Sequence, residues 1–328
     1  MEMTLGKDSI TNFPLRKKKN VYKRIFEIDF LRGILIILMV VDHLAYDFGI
    51  LAPSFFFLSG APQWLEDLSG WCYEYWYFDW RINLRYAVIA LFFILSGISA
   101  FLSRNSLKRG MLVFGFGALV SIVAYIISVS FETNMFIFFG IISCLGLSMI
   151  IYSLFRLFII KTIGSIRLWK WVALFLAILF IGVGYWMRIE ATSVAVNSEN
   201  WWYLINGRLT PTLQSYQYIS GHVFTPIIYD FETKFNIILG RFWYGVDWAG
   251  IFPYLGYAFF GGFIGELLYS KKRSLIFGKN AEKEHKVERA LRPLTYIGSK
   301  TIYIYLFHQV ALALVAFIVF FLFGVPLR

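Results

Sequence analysis

The sequence predicts an all-α integral membrane protein: a polytopic bundle of about seven transmembrane helices with its N-terminus in the cytoplasm. Hydrophobic residues make up 59% of the 328 residues and charged residues only 16%, whereas a soluble domain is roughly half apolar and about a quarter charged. Mean hydropathy is +0.64. Apolar stretches of about 20 residues, the length that crosses a bilayer as a helix, recur along the chain.

These apolar stretches define the expected spans in chain order. They run roughly over residues 28–48, 83–102, 111–130, 137–158, 171–189, 248–269 and 300–324. The polar, basic segment before them leads into a first span that is too long for a signal peptide and has no small-residue cleavage site, so we interpret that span as an uncleaved anchor. We therefore expect a basic N-terminal segment, 1–24, followed by one transmembrane domain, 25–324.

Basic residues are distributed unevenly between the connecting segments. Of the 31 lysines and arginines, 22 lie in segments 1–24, 103–110, 156–170 and 270–294. The alternate segments hold four basic and ten acidic residues, and they comprise 49–82, 131–136 and 190–247. Because basic loops stay in the cytoplasm, we expect the N-terminus inside, and the C-terminus and the long loops 49–82 and 190–247 outside. The net charge of +11 then reflects topology and contact with anionic lipid, and we expect no nucleic-acid partner.

The first span carries a polar stripe through its apolar core. Arg32 and His43 are eleven residues apart, which places them only about 20° apart around a helix and roughly 16 Å apart along it. Asp29 and Asp47 fall on the same stripe, because steps of three and four residues repeat on one helical face. A polar stripe in a membrane helix must face the protein or water, so its residues are functional candidates.

Spacing leaves two interpretations of this stripe open. One ligand with an extended pantetheine arm would place its phosphates near Arg32 and its acyl thioester near His43. Alternatively, Asp29 and Arg32 neutralise each other at i, i+3, while His43 hydrogen-bonds a neighbouring helix.

Two further candidates lie in the last two spans. His308, followed by Gln309, lies eight residues inside the seventh span and therefore level with His43 or slightly below it. Histidine suits general-base work because its ordinary pKa is near neutrality. Asp247, at the start of the sixth span, is either a solvated charge or a residue that orients an active-site histidine. Two histidines without a carboxylate do not complete a zinc site, and we expect no metal.

The two long outer loops are rich in aromatic residues, and loop 190–247 also holds the lone His222. These rings form either an interfacial belt or, with nearby carboxylates, a surface suited to sugar rings. Loop 190–247 is too long for a simple turn and is expected to fold over an outer cleft. Cys72, in the first of these loops, and Cys144, in a predicted helix, provide no disulfide framework.

Four segments carry a resemblance to a known family. The first span reads RIFEIDFLRGI over residues 24–34 and VVDH over 40–43. The others read FGIISCLG over 139–146, FPYLG over 252–256 after Asp247, and IGSKTIYIYLFHQ over 297–309. In this order, over residues 24–310, they resemble bacterial members of the heparan-α-glucosaminide N-acetyltransferase catalytic-domain family, within the wider transmembrane acyltransferase superfamily.

The resemblance implies transfer of an acetyl group from cytosolic acetyl-CoA to an amine or hydroxyl of a sugar across the membrane. His43 would be the base or the residue that relays the acyl group, and Arg32 with Asp29 would organise the helix or the coenzyme. Ser143 stands where relatives are expected to have a histidine, and we group it with the coenzyme contacts. Val310 stands where a proline often follows His-Gln. If that missing histidine does chemistry in relatives, the mechanism here is altered.

We therefore predict a multi-pass acyltransferase of the plasma or inner membrane, with acyl-CoA as donor and an envelope glycan or amino sugar as acceptor. The predicted catalytic residues are His43, His308, Asp47 and Asp247. Membrane lipid surrounds the protein, and a homo-oligomer is an open option. The alternative is a carrier or flippase for a lipid-linked saccharide, whose charged stripe lines a pathway. A retinal sensor is disfavoured, because Lys300 lies at the mouth of the last helix rather than deep within it.

Overall fold

Helices form almost all of the computed structural model, which describes residues 24–130, 137–196, 231–241, 247–278, 281–323 and 325–327. In chain order the elements are α1 (Phe26–Tyr46), the π-helical turn π1 (Asp47–Leu51), α2 (Ala52–Phe55), α3 (Gln63–Tyr77), α4 (Asp79–Leu102), α5 (Ser106–Ser130), α6 (Ile141–Ile163), α7 (Ile166–Val196), α8 (Phe231–Leu239), α9 (Ile251–Leu268), α10 (Ala281–Ala290), α11 (Arg292–Ser299) and α12 (Thr301–Leu322). Within these ranges there are two isolated β-bridges and no strand. The all-α prediction is confirmed.

Seven of the described helices are long and apolar enough to cross a membrane, and this prediction is also confirmed. The spans are Phe26–Phe55, Asp79–Leu102, Ser106–Ile127, Ile141–Ile163, Ile166–Met187, Ile251–Leu268 and Thr301–Leu322. The first continues past its expected end at residue 48, because π1 and α2 extend the helix to Phe55. We call the end of the bundle at which α1 ends and α4 begins the distal end, and the opposite end the proximal end. That the distal end faces outward stays a prediction.

Most of segment 49–82 is helical, and its interpretation as a loop is wrong. It contains part of π1, all of α2 and α3, and the start of α4, so Cys72 lies in a helix. Leu65, Ser69 and Trp76 recur at helical spacing along the side of α3 that faces the protein. Because α3 has only 15 residues and carries acidic groups, it is too short and too polar to register as a span.

The second outer segment is described only at its ends. Helix α7 continues to Val196, and α8 covers Phe231–Leu239. Residues 197–230, with His222, lie outside the described residues, and so do residues 1–23. The expectation that this loop covers a cleft therefore stays a prediction.

Helix α9 is the most buried of the described spans. Ten of its 18 residues are buried inside the protein. Glycines allow α4 and α9 to approach closely: a Cβ atom at Gly97 would collide with the carbonyl of Ala258, and one at Gly261 with the carbonyl of Ile94. Small residues bring membrane helices together in this way. Gly261 of the sixth span therefore serves the packing of α9 against α4.

Helix α1 packs against α11 and α12. Gly33 lies against the backbone of Leu294, and Gly298 against the backbone of Asp29. Its π-helical extension packs against α3, where Gly49 lies against the backbone of Cys72 and Tyr73. These contacts fix the polar stripe of α1 relative to the last helix and to the distal cap.

Candidate active site

Two histidines from the first and last helices meet inside the bundle. The ring centroids of His43 and His308 are 4.7 Å apart, with the rings almost perpendicular at 86°. His308 is buried, with 9% of its surface exposed. Spacing predicted only that the two residues lie at a similar depth, and in the structure their rings are in direct contact.

Backbone hydrogen bonds fix the orientation of both rings. Nδ1 of His43 lies 2.8 Å from the carbonyl oxygen of Met39, and Nδ1 of His308 lies 2.8 Å from that of Tyr305. A carbonyl oxygen only accepts, so each Nδ1 carries the hydrogen, and in the neutral ring the lone pair is on Nε2. Nε2 of His308 is buried without a hydrogen-bond partner. Each ring therefore presents Nε2 as its basic and nucleophilic atom.

A cavity of about 90 Å³ opens beside His43 at the junction of α1, α3, α4, α6 and α12. Its polar lining residues are Asp42, His43, Tyr75, Trp76, Arg81, Arg85, Asp247 and Tyr305. His43 lines the cavity, whereas His308 lies behind it.

Asp247 lines this cavity and is held there by the backbone. The amide of Ile141 donates to the carbonyl of Asp247 at 3.0 Å, which joins the start of α6 to the segment before α9. The hydroxyl of Tyr305 donates to Asp247 Oδ1 at 3.1 Å. Burial raises the pKa of Asp247 from 3.8 to about 6, although Tyr305 and the charge of Arg85 act in the opposite direction. The carboxylate of Asp247 is therefore not simply a solvent-exposed charge, the first of the two options that the sequence left open.

Asp47 pairs with the residue after His308 and not with His43. Gln309 Nε2 donates to Asp47 Oδ1 at 2.6 Å, while Asp47 Oδ2 is buried without a partner. Nδ1 of His43 binds the carbonyl of Met39, so Asp47 does not orient that ring through this atom. The Asp47–Gln309 bond instead links π1 to α12 one turn beyond the histidines.

An ion pair next to His43 was not predicted as part of the site. Arg81 donates to both carboxylate oxygens of Asp42, at 2.6 and 2.5 Å, and its guanidinium carbon lies 3.5 Å from the ring centroid of Trp76. Tyr75 adds a hydrogen bond to Asp42 at 3.3 Å. Asp42 directly precedes His43 in the VVDH segment, and this position could have marked it as a candidate site residue. Nothing in the sequence paired it with Arg81, 39 residues away.

Arg32 and Asp29 form the proximal part of the stripe. Arg32 Nη1 donates to Asp29 Oδ1 at 3.1 Å, and its Nη2 contacts Ser99 Oγ and, at 3.4 Å, the carbonyl of Leu95. Arg24 also contacts Asp29, at 3.5 Å. These bonds neutralise Asp29 and tie α1 to α4, as the helix-organising interpretation expects. Neither Arg32 nor Asp29 lines the cavity.

Ser143 lies on the side of α6 that faces α5. It is buried, with 5% of its surface exposed, and a Cβ atom at Gly117 would collide with it. Ile141, two residues earlier, is the α6 residue that lines the cavity. Ser143 therefore lies apart from both histidines.

Comparison with known proteins agrees with the resemblance seen in the sequence. The family model for the catalytic domain of heparan-α-glucosaminide N-acetyltransferase matches residues 24–310, which is most of the chain. No curated protein and no solved structure matches the chain.

Proposed function

The chain belongs to the heparan-α-glucosaminide N-acetyltransferase catalytic-domain family, and on that premise we propose that it moves an acetyl group from cytosolic acetyl-CoA to an amine or hydroxyl of an extracytoplasmic sugar. Membership in this family and the seven membrane helices make it a membrane protein of an acetyltransferase family. The donor, the acceptor and the direction of transfer are our proposal.

The observation that carries the proposal is the histidine pair beside the cavity. Acyl transfer needs a group that removes a proton from the acceptor or takes the acyl group first. The Nδ1 hydrogen bond to Met39 leaves Nε2 of His43 for either task, and His43 lines the cavity in which the acceptor and the acyl group would meet. His308 touches His43 from behind, which suits a supporting residue.

The bond changes follow from this placement. The acceptor's nitrogen or oxygen bonds to the acyl carbon, the thioester C–S bond breaks, and the thiolate of CoA leaves. His43 takes the proton that the acceptor loses and passes it to the departing sulfur. In the two-step version, Nε2 of His43 bonds to the acyl carbon first and releases it to the acceptor afterwards. Asp247, with Tyr305, lies where it would orient the acceptor.

We propose that the coenzyme enters from the proximal end. Two arginines there, Arg24 and Arg32, pair with one carboxylate, that of Asp29, and 64% of the Arg24 side chain is exposed. Two positive charges against one negative charge leave an excess that would attract phosphate groups. Roughly 16 Å of helix separates Arg32 from His43, a distance suited to an extended pantetheine arm. Arg32→Ala should weaken the binding of CoA to the purified protein more than Arg32→Lys does. Unchanged affinity in both folded variants would leave Arg32 with the helix-organising role alone.

Radiolabelled acetyl-CoA tests the function itself. Membranes that contain the protein should transfer label to an envelope glycan, and membranes with His43→Ala at the same protein level should not. A carrier for lipid-linked saccharide would instead leave all of the label in acetyl-CoA while moving saccharide across the membrane. That result would replace our proposal with the carrier.

A further inference from the structure

One guanidinium group joins three elements at the distal end. Arg81, in the first turn of α4, donates from Nε and Nη2 to both oxygens of Asp42 on α1. Its Nη1 donates to the carbonyl of Trp76 on α3 at 3.3 Å, and its plane stacks on the Trp76 ring. Only 3% of the Arg81 side chain is exposed. The guanidinium group of Arg81 is therefore held on three sides, while 16% of the Asp42 side chain remains exposed.

The same residues form one wall of the cavity. Asp42, Tyr75, Trp76 and Arg81 all line the space beside His43. This wall consists of the C-terminal end of α3 and the start of α4, brought against α1. The cavity, of about 90 Å³, is only partly enclosed, and this wall forms one side of it.

We propose that the Asp42–Arg81 pair is a latch that holds the end of α3 and the first turn of α4 over His43 and keeps bulk water from the acyl group. The inference rests on the acetyl transfer proposed above. Water competes with the sugar in such a reaction: its oxygen bonds to the acyl carbon, the C–S bond breaks, and the products are acetate and free CoA. Exclusion of water from a closed site suppresses this side reaction.

Loss of the latch would leave the rest of α3 in place. Ser69 Oγ donates to the carbonyl of Phe48 at 2.9 Å, and the fully buried Leu65 packs near the start of the same helix. Removal of Arg81 leaves the partly buried carboxylate of Asp42 with the hydrogen bond from Tyr75 but without its ion-pair partner. Loss of that partner favours opening of this wall. The expected movement is therefore local to the end of α3.

The test measures two products of one reaction. Arg81→Ala should raise the ratio of acetate to acetylated acceptor, formed from the same acetyl-CoA, several-fold over the natural protein. Arg81→Lys keeps the charge but lacks the two-pronged donor, and it should give an intermediate ratio.

Arg156→Ala is the matched control. Arg156 makes two hydrogen bonds to Glu266 Oε1, at 3.2 and 3.0 Å, between α6 and α9 in the proximal half of the bundle. This variant breaks a comparable pair away from the cavity and should leave the product ratio unchanged. An equal rise in Arg156→Ala would show general loosening of the bundle and overturn the latch.

Tyr75→Phe provides the test if Arg81→Ala does not accumulate. It removes only the third hydrogen bond to Asp42 and should raise the ratio by a smaller factor. If sugar is acetylated but Arg81→Ala and Tyr75→Phe leave the ratio unchanged, the latch is refuted and the acetyltransferase stands. If the natural protein forms neither product, the proposed function fails first, and the latch with it.

Discussion

The two histidines have different surroundings, and this difference gives them different expected roles. His43 lines the cavity, whereas His308 is buried behind it, with its Nε2 enclosed by protein. Only the first is placed to meet an acceptor. The second touches the first through its ring and anchors itself to the backbone of α12.

His43→Ala should therefore lower acetyl transfer by about 10² to 10⁴, the usual effect of losing a general base. His308→Ala should lower it less, because His308 acts through His43. Rates of acetyl transfer, normalised to the amount of each protein in the membrane, check both expectations. Near-full transfer in His43→Ala together with loss in His308→Ala would reverse the two assignments. If neither substitution matters, the acetyltransferase proposal fails.

Asp247 gives a pH-dependent prediction. Its pKa of about 6 lies above its ordinary 3.8 because burial disfavours the charge. Between these values the folded protein binds more protons than the unfolded chain, so protonation of Asp247 stabilises the fold as pH falls through about 6. Above that pH the folded protein carries the buried charge at a cost.

Asp247→Asn, which is neutral at every pH, should therefore raise the apparent melting temperature of the detergent-purified protein more at about pH 8 than at about pH 5. At pH 5 Asp247 is mostly neutral in the folded protein but still ionised in the unfolded chain, so a smaller difference in melting temperature should remain. The two proteins should melt alike only below the ordinary pKa of 3.8. A larger difference at the acidic pH would mean that the carboxylate is stabilised in the fold, contrary to our assignment.

At the scale of the elements, the position of α1 decides where the whole polar stripe faces. Helix α11 meets α1 along a glycine face, where Gly33 touches the carbonyl of Leu294. Helix α12 meets it further along, at the histidines and at the Asp47–Gln309 bond. The stripe therefore depends on close packing at the proximal end as well as on its own polar contacts.

Gly33→Ala tests this packing. Its new methyl group would overlap the carbonyl of Leu294, and the strain of such overpacking typically costs about 1–3 kcal/mol. We expect a lower apparent melting temperature in detergent. Gly115→Ala is the control, since a Cβ atom there meets nothing within 4 Å, and alanine favours the helix. Equal melting of the two variants would show that α1 and α11 separate without cost.

For the molecule as a whole, the bundle places alternate connections at opposite ends, and the basic residues mark one of them. Residues 269–278 and 281–300 and the short connection between α6 and α7 lie at the proximal end, where α1 begins. By the positive-inside rule we predict that this end is cytoplasmic, and the proposed direction of transfer depends on this prediction.

Cysteine labelling on intact cells tests that orientation. In a background without Cys72 and Cys144, an impermeant thiol reagent should label Asn200→Cys and not Asn280→Cys. Permeabilised cells, in which both should react, provide the control. Labelling of the second variant but not of the first would invert the topology, and the proposed transfer from cytosolic acetyl-CoA outward would fall with it.

The sequence by itself determined the class of the fold and the outline of the site. Hydropathy revealed seven spans because a lipid-embedded helix must be apolar along about 20 residues. Helical spacing revealed the stripe of Arg32 and His43 because polar groups inside a membrane have to face the protein. The positions of His308 and Asp247 in the last two spans made them candidates, and the family model confirms the resemblance of the segments around them.

Only the tertiary structure decided which of these groups touch. Contact between His43 and His308 depends on the packing of α1 against α12, which hydropathy does not encode. Asp47 binds Gln309 and Arg81 binds Asp42 because π1 and α3 bring together residues that are distant in the chain. The sequence did not predict helix α3, because a half-polar helix that caps a bundle has neither the length nor the hydropathy of a membrane span. Periodicity fixes the face of one helix, whereas contacts between helices depend on the shape of every surface that packs between them.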